Sequence, residues 1–192
     1  MARKAQPTAI YQIKVTLQNS HPPIWRRLLA PDNLTLETLH HIIQAAMDWE
    51  DYHLHQFIVG QRPFQAFYGA PDPNYADEEM KNEQQVKLNQ IVTGEKFKFI
   101  YEYDFGDSWR HVLLVEKVLP VDPQQQYPVC IKGKRACPPE DVGGVWGYGA
   151  FLEALANPEH PDHEMYTEWV GGKFDAEHFD LDEINRRLAC LR

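Results

Sequence analysis

Between residues 96 and 119 the chain carries two runs of alternating side chains, joined by Asp104-Phe105-Gly106-Asp107. Phe97, Phe99, Tyr101 and Tyr103 fall on one face of the first run, because successive strand side chains point to opposite sides. On the return, Val112 and Leu114 alternate with Leu113 and Val115, so both faces are apolar. A strand of that kind belongs inside a sheet. The turn between the arms is expected to use Gly106 at positive φ.

The rest of the chain is organised around this hairpin. Residues 9–17 alternate polar and apolar, which predicts a half-buried strand. Ser20-His21-Pro22-Pro23 interrupts it, and 24–29 resume as a second strand. Thr35 can cap a helix running to about Asp48, with Leu36, Leu39, Ile43 and Met47 as its buried stripe. His53 to Val59 reads as a strand, and 70–85 as an exposed loop. Residues 120–146 form a long proline-containing connection. Short helical segments follow over 148–156 and 162–169, and Asp180 caps a last helix with Leu181, Ile184, Leu188 and Leu191 on one face. Strands, a helix, a hairpin and then helices give an α+β fold: a single domain over 1–192, its mainly antiparallel, roll-like sheet packed against helices.

Composition narrows the function classes. A net charge of −9 argues against a general nucleic-acid coat protein. The charge is uneven: residues 1–31 hold Arg3, Lys4, Lys14, Arg26 and Arg27 and no acid. Lys14, Arg26 and Arg27 are therefore the candidate nucleic-acid contacts. Arg26 and Arg27 fall on opposite strand faces, so at most one can point inward, and internal pairing to an acid is the expected outcome. Three cysteines, Cys130, Cys137 and Cys190, make no disulfide framework. No apolar run approaches a membrane span, and the first residues lack a signal-peptide core, so a cytoplasmic protein is expected.

Four separated motifs carry a resemblance. They are Tyr103-Asp-Phe-Gly-Asp-Ser-Trp-Arg-His111, Cys137-Pro-Pro-Glu-Asp-Val-Gly-Gly144, Gly147-Tyr148 with Phe151-Leu152, and Trp169-Val-Gly-Gly-Lys-Phe-Asp175 with Phe179-Asp180. Together with Pro23-Ile24-Trp25-Arg26-Arg27, they resemble the plasmid pRiA ORF-three-like family over about residues 8–190. The resemblance implies one α+β domain with a roll-like sheet, and an association with plasmids and insertion elements. It implies no catalytic assignment.

Read for chemistry, most motifs fall back on turn or core roles. Asp104-Phe105-Gly106 lacks the other parts of a kinase site. Ser20 and Ser108 are the only serines and lack the clustered arginines of a serine recombinase. The glycines of 143–149 lack a P-loop lysine and are expected to seat Trp146 and Tyr148 in the core. Trp109 and Trp169 are expected to be core residues as well. His53 and His55 on one strand face, with His40 nearby, and the pair His160 and His163 are weak metal candidates without a specific spacing. Asp107 and His111 share a face and are expected to bond, which would raise the His111 pKa.

Two function classes remain open. The first is a non-catalytic binding module, connected with mobile-element biology and taking a protein or a nucleic acid. Its cleft is bordered by Asp104, Asp107, Trp109 and His111 on the hairpin and by Glu140 and Asp141 on the next loop. The alternative is a metal-assisted hydrolase using Asp107 and His111 with His53 or His55. No cofactor is predicted, with a divalent metal the one alternative; a structural domain pairing with its own copy is the third option.

Overall fold

The structure is a computed structural model that describes residues 6–71 and 80–192. Among the described residues eight strands form one sheet: β1 (Ile10–Leu17), β2 (Trp25–Pro31), β3 (His55–Val59), β4 (Ala66–Gly69), β5 (Met80–Asn82), β6 (Lys98–Tyr103), β7 (Trp109–Leu119) and β8 (Val129–Lys134). Their spatial order is β5-β4-β3-β6-β7-β1-β2-β8. Every pairing is antiparallel except β4 with β5. The hairpin read first in the sequence supplies the two central strands.

Five helices among the described residues accompany the sheet: α1 (Leu36–Met47), α2 (Leu88–Ile91), α3 (Gly144–Ala156), α4 (His163–Trp169) and α5 (Leu181–Ala189). The Thr35 hydroxyl accepts the Thr38 N–H to start α1, and Asp48 ends it at φ 65°. Leu36, Leu39, Ile43 and Met47 are fully buried, as their spacing predicts. They pack with Ile13, Val15, Leu28, Phe99, Tyr101, Leu113 and Val115 in one core.

Alternation decides the two sheet faces. Tyr103 pairs with Trp109, Tyr101 with His111 and Phe99 with Leu113, and all six side chains point into the core. The opposite face carries Gln12, Lys14, Arg27 and Glu116, which stay partly exposed. Arg27 donates two hydrogen bonds to Glu116, at 2.5 and 2.8 Å, and Gln12 donates a third at 2.7 Å. These bonds hold the Glu116 carboxyl below its usual range, with the Arg27 bond the main cause. Lys14 and Arg27 both lie over the Trp25 ring.

Several expectations change. The loop read over 70–85 lies partly on residues 72–79, outside the described residues; 80–85 form β5 and a 3-10 turn that buries Glu83. Strand β8 falls in the connection read over 120–146, and β4 in residues 60–69, to which the sequence reading assigns no element. β4 has four residues, too few for a period to show. β8 has weak alternation and contains Gly133, which is there for packing: a Cβ would lie 2.3 Å from the Phe179 ring and 2.9 Å from the Trp25 carbonyl oxygen. Asn185 of α5 brackets the same strand, accepting the Cys130 N–H at 2.8 Å and donating to its carbonyl at 2.9 Å. Gly106 is not at positive φ; Asp104 (55°) and Ser108 (54°) make the left-handed steps of that turn. Tyr148 is buried, but Trp146 is 90% exposed and Trp169 47%.

Arg26 is the inward arginine of β2, only 4% exposed. Its guanidinium donates to the carbonyls of Ala46 (2.9 Å), Trp25 (3.0 Å) and Lys134 (3.0 Å) and to Cys137 Sγ (3.2 Å). Phe179 covers it from 5.1 Å. One side chain thus ties β2, the last turn of α1, β8 and the 137–144 loop together. The α1 contact puts a cation at a helix C-terminus, where it is favoured. Replacing Arg26 with Met keeps most of the volume and strands those carbonyls. We expect a loss of roughly 3 kcal/mol or more in urea unfolding; a loss below about 1 kcal/mol would show that water takes over the bonds.

Candidate functional site

Three segments meet around the tip of the β6–β7 hairpin: 48–54 after α1, 104–108 in the turn, and 137–144 before α3. Each is fixed by polar side chains. Tyr103, at the end of β6, donates its hydroxyl to Glu140 and accepts the backbone N–H groups of Tyr52 (3.0 Å) and His53 (3.3 Å). Burial, with the bond to Glu140 next, pushes the Tyr103 phenol well above its ordinary range, so it stays a donor. The other Glu140 oxygen accepts the Glu50 N–H at 2.8 Å. Asp107 accepts the Gly143 N–H at 3.0 Å. Gly144 follows because a Cβ there would sit 2.5 Å from the Asp107 carbonyl oxygen. Beneath this layer Trp49 donates to the Pro138 carbonyl and packs on Tyr103, Trp109 and His111.

Asp104 and Asp141 converge on His53. Nε2 of His53 lies 3.0 Å from Asp141 Oδ1 and 3.8 Å from Asp104 Oδ2. Donor atoms of all three residues lie within 4.8 Å of one another. The Asp104 backbone N–H bonds to the Leu54 carbonyl at 2.8 Å, and its Oδ1 accepts the Gly106 N–H at 2.9 Å. That leaves Oδ2 for His53.

Outside this cluster runs a cleft of about 670 Å³, bounded by the exit of α1, the 137–141 loop and residues 169–187. Asp48, Glu50, Glu140 and Asp141 line it from the first two segments. Asp175, Asp180 and Glu183 line it from the third, against the cations Lys173 and Arg187. Arg187 is already paired with Asp48 and Glu183. Trp169 and Phe174 line the cleft too, and so does Tyr52, 73% exposed.

A second polar group lies under α1. His40 contacts the Tyr101 hydroxyl through Nδ1 (2.8 Å) and Asp51 through Nε2 (2.8 Å), and stacks on His55 at 3.5 Å. An ionised Asp51 only accepts, so Nε2 carries the proton of the neutral ring and Nδ1 accepts from Tyr101. Burial, then the neighbouring His55, lowers the His40 pKa to about 4. His55 contacts both oxygens of buried Glu83, at 2.9 and 3.1 Å.

Several candidates from the sequence are therefore not brought together. Asp107 and His111 do not meet: Asp107 holds Gly143, whereas His111 is fully buried with Nδ1 on the Trp109 carbonyl at 3.1 Å. The His111 pKa is lowered to about 3 by burial, opposite to the sign expected from an Asp107 bond. Trp109 is fully buried and lines no cleft. His53 precedes β3 and serves a different cluster from His55. His160 accepts the Asp162 N–H, and His163 donates to the Ala154 carbonyl, both local contacts. Arg26 has its donors engaged inside, and Arg27 is held by Glu116, leaving Lys14 beside them. Burial pushes the Cys137 thiol up, opposed by Arg26, so it is a packing group. The sequence places Glu140 and Asp141 at a cleft but shows neither its 169–187 wall nor the Tyr103–Glu140 latch; an acid beside a proline pair is the latch's only local sign.

An open, mostly antiparallel eight-stranded sheet with helices defines an α+β protein with a polar site at one hairpin tip. The chain belongs to the family described as plasmid pRiA4b ORF-3-like protein, whose model matches residues 9–183. It is similar to the uncharacterized protein y4hQ of Sinorhizobium fredii (strain NBRC 101917 / NGR234), 36% identical over 185 residues, or 95% of this chain and 92% of the relative. It is also similar to the crystal structure of a protein of unknown function, MM3350, from Methanosarcina mazei Go1. That likeness has a TM-score of 0.83 at 39% identity and covers 92% of this chain and 98% of that one. Among the described residues no helix is long and apolar enough to cross a membrane.

The two depressed histidines set a pH dependence. Unfolded, each titrates near 6.5; folded, His40 and His111 titrate near 4 and 3. The unfolded state then binds more protons between these values. Stability is full above about pH 6.5 and falls as pH drops towards the folded pKa values. Urea midpoints should be level above pH 7 and decline steadily from pH 6.5 to 4, with a shallower decline in His111→Gln. A constant midpoint across that window would contradict the buried neutral state.

Proposed function

We propose that this protein is a non-catalytic binding module whose cleft receives a positively charged segment of another protein. The observation that carries this reading is the lining of the cleft: seven carboxylates (Asp48, Glu50, Glu140, Asp141, Asp175, Asp180 and Glu183) against the two cations Lys173 and Arg187 among the described residues, a clear acidic excess even with Arg187 paired to Asp48 and Glu183. Such a concave acidic surface attracts Lys- and Arg-rich chain and repels phosphate. Trp169 and Tyr52 add exposed aromatic faces on which a cation can rest. The latches from Glu140 and Asp107 favour a pre-formed cleft, which lowers the ordering cost of binding. The partner's connection with plasmid or mobile-element biology is what the family description suggests.

Nucleic acid is the poorer fit. Of its three candidate contacts, Arg26 is buried and Arg27 paired, and the charge around the cleft has the wrong sign.

Fluorescence anisotropy with labelled probes tests the assignment. A Lys/Arg-rich peptide should bind with a Kd in the micromolar range at low salt and weaken several-fold near ~0.5 M salt. Glu50→Lys combined with Asp175→Lys should abolish binding without lowering the melting temperature. A DNA duplex bound more tightly than the peptide, or a variant that binds the peptide unchanged, would sink the proposal.

A further inference from the structure

We propose that His53, Asp104 and Asp141 form a binding site for one divalent transition-metal cation at the inner edge of the cleft. The inference rests on its own geometry and not on the nature of the cleft's partner. Zinc bonds of about 2.0–2.2 Å to nitrogen and oxygen put neighbouring ligand atoms about 3.0–3.5 Å apart for angles between octahedral and tetrahedral. The observed separations from His53 Nε2, 3.0 and 3.8 Å, bracket that edge length. A small movement of exposed Asp141 and partly buried Asp104 would equalise them.

A second observation sets this apart from a chance gathering of acids. Nε2 of His53 is shielded from solvent and makes no hydrogen bond, although Asp141 Oδ1 is only 3.0 Å away. The carboxylate therefore stands beside the nitrogen and off its donor axis. A nitrogen lone pair flanked by two carboxylates without an aligned bond is what a cation between them would use. His40, in the other His/Asp group, differs: both of its ring nitrogens are already satisfied.

The surroundings hold the ligands in place. The His53 backbone is bonded to the Tyr103 hydroxyl. The second oxygen of Asp104 takes the Gly106 N–H, which orients the first. Asp141 lies between Glu140 and Gly143, both of them latched. Partners of this kind raise metal affinity. One imidazole and two carboxylates suit zinc or manganese over calcium, which prefers all-oxygen shells. Three protein ligands leave further positions open, and one of the three, Asp141, also lines the cleft.

The test is isothermal titration of the EDTA-dialysed full chain with zinc chloride. One equivalent should bind saturably at micromolar Kd or tighter, and the melting temperature should rise with zinc concentration. His53→Gln and Asp141→Asn should each weaken binding about tenfold or more, while His41→Ala leaves it unchanged. Asp141 is exposed, so its variant is expected to fold normally, which circular dichroism checks. Absence of saturable binding overturns the site, and so does binding that both ligand variants retain, or that His41→Ala alone removes.

Discussion

A buried guanidinium with no carboxylate partner among the described residues underlies the architecture. Desolvating a cation is costly, and here the cost is offset by carbonyl dipoles from three parts of the chain. Apart from the neighbouring Trp25, its partners are distant in sequence: Arg26 reaches residues 46, 134 and 137 from one point on β2. A lysine could not replace it, since one ammonium cannot span so many divergent acceptors. The contact to Ala46 fixes where α1 ends, and that end leads into 48–54, one side of the polar cluster. The contact to Cys137 fixes where the next loop begins, which is the other side. The cleft inherits its shape from a residue that does not line it.

The structure divides polar groups into two kinds. Glu116, Arg27 and Gln12 lie on the open sheet face, where water screens them and their loss would cost little. Tyr103, Glu140, His40 and Tyr101 lie on the covered side, where each donor must meet an acceptor. That second set is concentrated between α1 and the hairpin tip. It prescribes one arrangement of loops that apolar packing alone would leave free to slide, so the precision of the site rests on hydrogen bonding and its existence on the core.

Local pattern made the hairpin, β1, β2, α1 and α5 readable, because burial on one face imposes a period that the residues record. Strands β4 and β8 left no such record; their places depend on neighbours that the local chain does not encode. The reading of Asp107 with His111 shows how the site was missed. Counting along one strand face carried the strand's alternation back into the turn as far as Asp107. Ser108 instead takes a left-handed step, β7 starts at Trp109, and Asp107 turns towards Gly143. The gathering of His53, Asp104 and Asp141 was partly visible, since two of the three stood out as motif acids. Nothing in the sequence could pair them with a histidine some fifty positions upstream of the nearer one. The same holds for Trp146: its motif suggested a packed aromatic, and its exposure is set by where α3 emerges.

The side chain of Asn185 has an effect beyond anchoring α5. Its amide presents one acceptor and one donor to the same residue of the outermost strand, as an adjoining strand would. At Cys130 the ladder is therefore closed by a side chain, and the row of free backbone groups that invites another chain is interrupted there. The far boundary is a strand of only three residues, β5. An open sheet of eight strands thus ends in a molecular stopper on one side and a stub on the other, which disfavours growth by edge-to-edge addition.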